Sequence, residues 1–319
     1  MALYCGVATV PLVFPDGLGL AGYGPAAGAG QNEHDPDALA AERARAVALG
    51  KLPPIGIAPL AVRVMVLQER DLEEAPAPGE TQARLGAVRS CVLLGFMDLM
   101  AGSQLVSRRV VDRLNGRHGL EGAASLIGDH NVLIMPSHTH SAPGHYTGIP
   151  PLDLLLHQPT GHREDVVRII VRALTSAFAT AWAGVRPANL DVQAVNLYGI
   201  GRNRSPAPFE ANPEAEGWPG DMTVPAGEPP DAELDSAQKA VDPRMWVVSA
   251  RAKEGGLIGT FAVAPVHNTA LGRVPKAYDG DWTGRVAKLF AEDAAQSELA
   301  WLDEAPWVAV AQGPAGDVT

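Results

Sequence analysis

The sequence predicts an α/β domain: a layered, mixed β-sheet core with flanking helices and a site at strand C-terminal ends. Three observations carry that prediction. Apolar runs of strand length recur along the whole chain, bounded by Gly- and Pro-rich stretches. Between some of them lie segments whose apolar residues return every third or fourth position, the period of a helix packed by one face. And two apolar runs end abruptly in histidine, in a fold class that builds its sites at the carboxyl ends of strands.

The elements come in order. "LYCGVATVPLVF" reads as a first strand, and the Gly-, Pro- and Asp-rich stretch after it as loop. "IAPLAVRVMVLQ", Ile57 to Gln68, alternates enough to be a second strand. The polar, Pro-containing stretch "ERDLEEAPAPGETQARLGAV" reads as exposed loop. "CVLLGFMD", Cys91 to Asp98, is continuously apolar, as in a strand buried on both faces. Val106, Val110 and Leu114 then mark a helix stopped at Asn115-Gly116. "NVLIMPS" is the next strand. A helix over Glu164 to Ala183 carries Val167, Ile170, Leu174 and Phe178 on one face. "LDVQAVNLYGIG" is a strand, and Ser205 to Asp242 reads as loop. "MWVVSARA" and "LIGTFAVAPVH" form a hairpin about "KEGG". A helix near Trp282 to Glu292 and a last strand "WVAVAQG" complete the pattern. At least one strand-helix-strand unit is implied, and no internal repeat is visible.

Bulk properties narrow the function classes. Residues 1–319 are read as a single domain, with ample length to bury a core. The net charge of −11 argues against a general electrostatic grip on nucleic acid. Cys5 and Cys91 both sit in apolar runs and read as free core thiols. There is no unbroken run of 18 apolar residues, so no transmembrane segment is expected. "MALYCGVATVPLVF" lacks a basic region followed by a cleavage site, which by default reads as cytoplasmic.

Four stretches could carry chemistry. In "NVLIMPSHTHSAPGHY" an apolar run ends in His138 and His140. On a continuing strand the two would point to opposite sides. By spacing alone they fit a metal ligand with a partner, or two ordinary imidazoles at a polar strand end. His267 closes "LIGTFAVAPVH" and reads as a second strand-end ligand or as a lone loop histidine. Arg204 lies in "NRSPAPFEANP", after a strand and before a rigid turn. It fits a planar clamp on an oxygen or an ordinary loop cation. "AQGPAGDVT" brings Asp317 and Thr319 into a turn after the last strand, where a hydroxyl could be a nucleophile, a positioning group or neither.

Taken together, these stretches resemble the N-terminal part of the neutral/alkaline (non-lysosomal) ceramidases. The family pattern THTHSGPGG is similar to Ser137-His138-Thr139-His140-Ser141-Ala142-Pro143-Gly144. Its NRSP, short spacer and NP are similar to Asn203-Arg204-Ser205-Pro206 and Asn212-Pro213. Its VHPTS is similar to Val266-His267-Asn268-Thr269-Ala270, and its GD[TV]S turn to Gly316-Asp317-Val318-Thr319. Weaker matches, "LAGYG" and "GFMDLM" about Asp98, lie in the expected order.

The resemblance implies zinc-dependent hydrolysis of the amide bond of an N-acyl sphingoid base, ceramide giving sphingosine and a fatty acid. It implies that His138 and His267 are zinc ligands, that His140 handles substrate or a proton beside the metal, and that Arg204 is an active-site arginine. Thr319 matches a serine that is either nucleophile or holder of the substrate's primary hydroxyl, with Asp317 as its neighbour. If both ligands hold one ion at ~2.0–2.1 Å each, their nitrogens should lie within roughly 4 Å of each other. A lipid-like substrate implies contact with a membrane surface, and the family is often secreted or surface-associated.

Departures from the pattern touch the substrate side. Thr319 stands for serine, His145 and Ala142 for glycines, and Ala270 for a serine. They keep two alternatives in play: a zinc amidase or esterase on a non-sphingolipid N-acyl substrate, and a non-catalytic lipid-binding relic. The family's remaining zinc ligands, a glutamate and a tyrosine, lie well beyond the GD[TV]S turn. The expectation is therefore a C-terminally truncated catalytic domain, inactive by itself.

Overall fold

The computed structural model describes residues 1–21, 58–72, 85–116, 120, 125–155, 161–213, 234–271, 278–296, 307–316 and 318. Its first half is a meander followed by a crossover. Strands β1 (Ala2–Pro11), β2 (Ala61–Arg70) and β3 (Val88–Met97) pair antiparallel. Helix α1 (Gln104–Leu114) then returns the chain to β4 (Val132–Pro136), which lies parallel to β3. The α1 start is set by Ser103, whose hydroxyl accepts the Val106 N–H. A short helix α2 (Pro150–Leu155) and the long α3 (Glu164–Ala183) lead into the second half.

The second half repeats the plan. Strands β5 (Arg186–Asn196), β6 (Arg244–Ala252) and β7 (Leu257–Ala264) form another antiparallel meander. Helix α6 (Asp281–Gln296) then leads to β8 (Trp307–Gln312), parallel to β7. The stretch read as loop between Ser205 and Asp242 holds two short helices, α4 (Pro206–Glu210) and α5 (Ser236–Lys239), with 214–233 outside the described residues. The topology thus repeats where the residues show no repeat: what recurs is the order of apolar runs and the pairing sense.

The strand order is β4-β3-β2-β1-β5-β6-β7-β8, and among the described residues β1 and β5 pair only at Tyr4–Pro187 and Cys5–Arg186. With so slight a junction the sheet turns back on itself, and β8 lies against β3 and β4. The two inner faces share a core that includes Cys5, Met65 and Phe96 from one half and Ala250, Trp307 and Ala309 from the other. The Phe96 ring meets Phe261 at 5.1 Å and Trp307 at 5.8 Å. The Trp307 indole N–H donates to the Ala8 carbonyl at 3.0 Å.

The outer face of the first half is covered by α1 and α3, where Val64, Leu93, Val110, Ile170, Leu174 and Phe178 are sealed from water. Gly6 permits the approach of α3: a Cβ there would stand 2.0 Å from the Ala181 carbonyl oxygen. Over its most apolar window α3 has a mean hydropathy of 1.4, enough by length and composition to cross a membrane. Here it is a core helix, burying Val167, Ile170, Leu174, Ala177 and Phe178 against β1 and β2. Cys5 and Cys91 are both buried and free. Burial pushes the Cys5 thiol up to about 12.

Each half therefore contains one parallel strand pair formed across a helix. The C-terminal ends of both pairs meet at one end of the fold, where the histidine loops lie.

Candidate metal centre

His138 comes after β4 and His267 after β7, so each half of the sheet contributes one. Their Nε2 atoms lie 2.9 Å apart although 129 positions separate them in the chain. That is inside the roughly 4 Å expected for two ligands of one ion.

His140 corrects the alternation argument. β4 ends at Pro136, and His138 takes a left-handed backbone, φ 64°. An extended chain would send the two imidazoles to opposite sides; the left-handed residue turns them to the same side. The Nε2 of His140 comes within 3.4 Å of that of His138. One ligand nitrogen from each of His138, His140 and His267 lies within 4.8 Å of the others, so the group could bind a metal.

The donor set fits a cation. The Nδ1 of His138 meets the Met100 carbonyl, and the Nδ1 of His267 meets that of Ala315 at 3.4 Å. A carbonyl only accepts, so each Nδ1 carries the proton and each Nε2 presents a bare lone pair. Two lone pairs facing each other at 2.9 Å repel, and a metal ion relieves that repulsion. Carbonyl-held imidazoles of this kind are the usual support of histidine ligands. Electrostatics point the same way. Burial, and then the charge of His267, lower the His138 pKa. Burial, and then His138, His267 and Arg204, pull His140 down to about 3. Burial and Arg204 lower His267. All three imidazoles are neutral at pH 7, the form a metal takes.

Arg204 lies beside this group: its charge reaches all three histidines, and its Nη2 donates to the Gly316 carbonyl at 2.9 Å. Asp317 and Thr319 lie outside the described residues. Val318 between them pairs with Asn203, and its carbonyl accepts the His267 N–H at 3.3 Å. His145, also in a left-handed conformation at φ 69°, is buried with its Nδ1 on the Gly161 carbonyl at 2.8 Å. Asp98 is buried and accepts from Arg63 Nη1 at 2.7 Å and from the Ala61 N–H at 3.0 Å. "LAGYG" falls mostly outside the described residues.

Sequence reasoning missed the support behind the histidines. Asn268 is buried completely, and the turn Asp279–Thr283 at the start of α6 packs beside it. The signal was present as "YDGDWTGR": a glycine between two aspartates before a helical period marks a tight turn and a helix start.

With this geometry in view, comparisons place the chain among known proteins. A family model described as neutral/alkaline non-lysosomal ceramidase, N-terminal, matches residues 87–319. Neutral ceramidase of Oryza sativa subsp. japonica is 27% identical over 202 residues, 63% of this chain and 22% of that protein. Neutral ceramidase of Mycobacterium tuberculosis is 33% identical over 126 residues, 39% of this chain and 18% of that protein. Among solved structures, neutral ceramidase from Pseudomonas aeruginosa superposes with a TM-score of 0.66 at 19% identity, covering 100% of this chain and 39% of that one. The likeness supports the same mixed α/β fold. The chain matches well under half the length of each of these relatives.

Proposed function

The chain belongs to the neutral/alkaline non-lysosomal ceramidase family, and from that premise we propose that it forms part of a zinc-dependent amidohydrolase. Its substrate is an N-acyl sphingoid base, cleaved at the amide to a free base and a fatty acid. The observation that carries the reading is the 2.9 Å approach of the His138 and His267 Nε2 atoms from opposite halves of the sheet. His138 and His267 would hold the ion. When bound, zinc supplies Lewis-acid activation of water and of the amide carbonyl.

The remaining work falls to the chain's own groups. Arg204 carries a permanent charge beside the histidines and steadies the negative charge that develops on the carbonyl oxygen. His140 is neutral at working pH; a proton it accepts is held weakly, because burial and its neighbours disfavour the cation. That suits it to hand the proton to the leaving amine. Thr319 holds the primary hydroxyl of the amino-alcohol head group, with Asp317 two positions before it in the sequence.

The test uses the full natural protein. Fatty-acid release from a fluorescent N-acyl sphingosine should require zinc and be lost with a chelator. Arg204→Ala should cut turnover about 100-fold at unchanged zinc content. Loss of zinc on that change would remove Arg204 from its role. Stoichiometric zinc with no hydrolysis of any acyl amide would remove the reading itself.

A further inference from the structure

We propose that the Asp279–Thr283 turn, with the Asn268 carboxamide buried against it, is the positioning element that sets His138 and His267 beside each other. The proposal rests on the metal-site reading above. The two histidines come from loops after β4 and β7, which belong to halves that pair at one strand junction and share a core between their inner faces. The shared core sets the halves together, and the turn contacts both loops at the site itself.

On the β4 side it holds the residues flanking His140. The Thr139 hydroxyl donates to the Asp279 carbonyl at 2.8 Å, and the Asp279 N–H donates to the Ser141 carbonyl at 2.7 Å. Thr139 and Ser141 are both sealed from water. On the β7 side it holds His267 itself and the residues just after it. The Trp282 indole N–H donates to the His267 carbonyl at 3.1 Å. The Asp281 carboxylate accepts the N–H groups of Ala270 and Leu271, each at 3.1 Å.

Asn268 closes the arrangement. Its amide donates to the Gly280 carbonyl at 3.0 Å and to the Thr283 hydroxyl at 2.8 Å, and it reaches the Ser137 hydroxyl at 3.4 Å. Its carbonyl accepts the Thr283 N–H at 3.3 Å. One buried side chain, next in sequence to His267, thereby touches the residue before His138. Buried amides with their hydrogen bonds made are rigid, because any displacement leaves a polar group unpaired in a dry site. Groups that orient metal ligands from behind commonly change metal affinity 10–100-fold when altered.

Two substitutions remove these contacts: Trp282→Phe deletes the bond to the His267 carbonyl, and Thr139→Val deletes the bond to the Asp279 carbonyl together with the one the hydroxyl accepts from the Ser141 N–H at 3.1 Å. Thr139→Ser restores the hydroxyl as the conservative control. The measurement has two arms on the full chain with labelled histidine: NMR contacts between the His138 and His267 rings without metal, and the zinc Kd by chelator competition. Trp282→Phe and Thr139→Val should each weaken the inter-ring contacts and raise the Kd about tenfold, while Thr139→Ser keeps both. Folded variants with unchanged inter-ring contacts and unchanged Kd overturn the proposal. If Thr139→Val does not fold, Trp282→Phe decides, since the indole is replaced by a smaller ring at a partly exposed position. A wild-type chain that binds no zinc, yet loses its ring contacts in the variants, leaves the positioning role standing and sinks the metal reading instead.

Discussion

The first half of the sheet, β1 to β4, carries α1 and α3 on its outer face and packs the second half against part of its inner face, where Val92 and Leu133 stay exposed. The second half, β5 to β8, repeats the same strand order and likewise keeps apolar residues on its inner face in water. Leu190 is 39% exposed, Val192 59% and Trp246 46%. The register explains why. Val192 opposes Val248, and Leu190 opposes Ala250, so all four share the face that packs on the first half nearer the β1–β5 junction. Part of that face is left open. One pairing plan thus carries two packed helices, α1 and α3, on the first half and one, α6 against β8, on the second. A site that takes one histidine from each is only as well aligned as the ties between their loops.

Substitutions of graded cost separate the two halves. Phe178 is completely buried between α3 and the first half. Phe178→Ala should cost about 3–5 kcal/mol by denaturant unfolding. Phe261, partly buried in the second half where it meets Phe96, should cost about 1–3 kcal/mol as Ala. Equal costs would mean that the two halves are packed alike.

Acid sharpens the comparison at the site that joins the halves. In an unfolded chain His140 takes up a proton near 6.5; in the fold it resists until about 3. Burial also lowers His138 and His267. The metal-free protein is then at full stability above pH 6.5 and loses it as pH falls towards 3, because the unfolded state binds the extra protons. Between pH 6.5 and 5 this loss is about 1–2 kcal/mol for His140. His140→Asn should flatten the slope over that interval, and an unchanged slope would contradict the burial of the imidazole. The smallest effect belongs to the open face, where Val192→Ala should change stability by no more than about 0.5 kcal/mol.

How far the sequence alone reaches depends on which forces are local. Strands and helices were legible because their periods are strong: the helix read at about Glu164 to Ala183 spans Glu164–Ala183, the "KEGG" hairpin is present, and a strand-helix-strand unit lies where the apolar runs place it. The folding back of the sheet was not legible, since it depends on two residue pairs at Tyr4 and Cys5 and on contacts between distant faces. At the site, His138 and His267 stood out because each ends an apolar strand. The turn of His140 towards them did not, because it hangs on the left-handed φ of His138, a conformation costly for any residue with a Cβ and read from no pattern. Asn268 was visible only as part of a motif; its contacts run to residues 12 to 131 positions away.

In the proposed site His138 and His267, one from each half, present their Nε2 atoms to one metal ion. A zinc titration of the histidine-labelled protein, monitored by nitrogen NMR of the imidazoles, tests it most directly. The Nε2 signals of His138 and His267 should move together to metal-bound positions and saturate at one equivalent, with both Nδ1 atoms remaining protonated. Saturation that leaves either histidine with the spectrum of a free imidazole would contradict it.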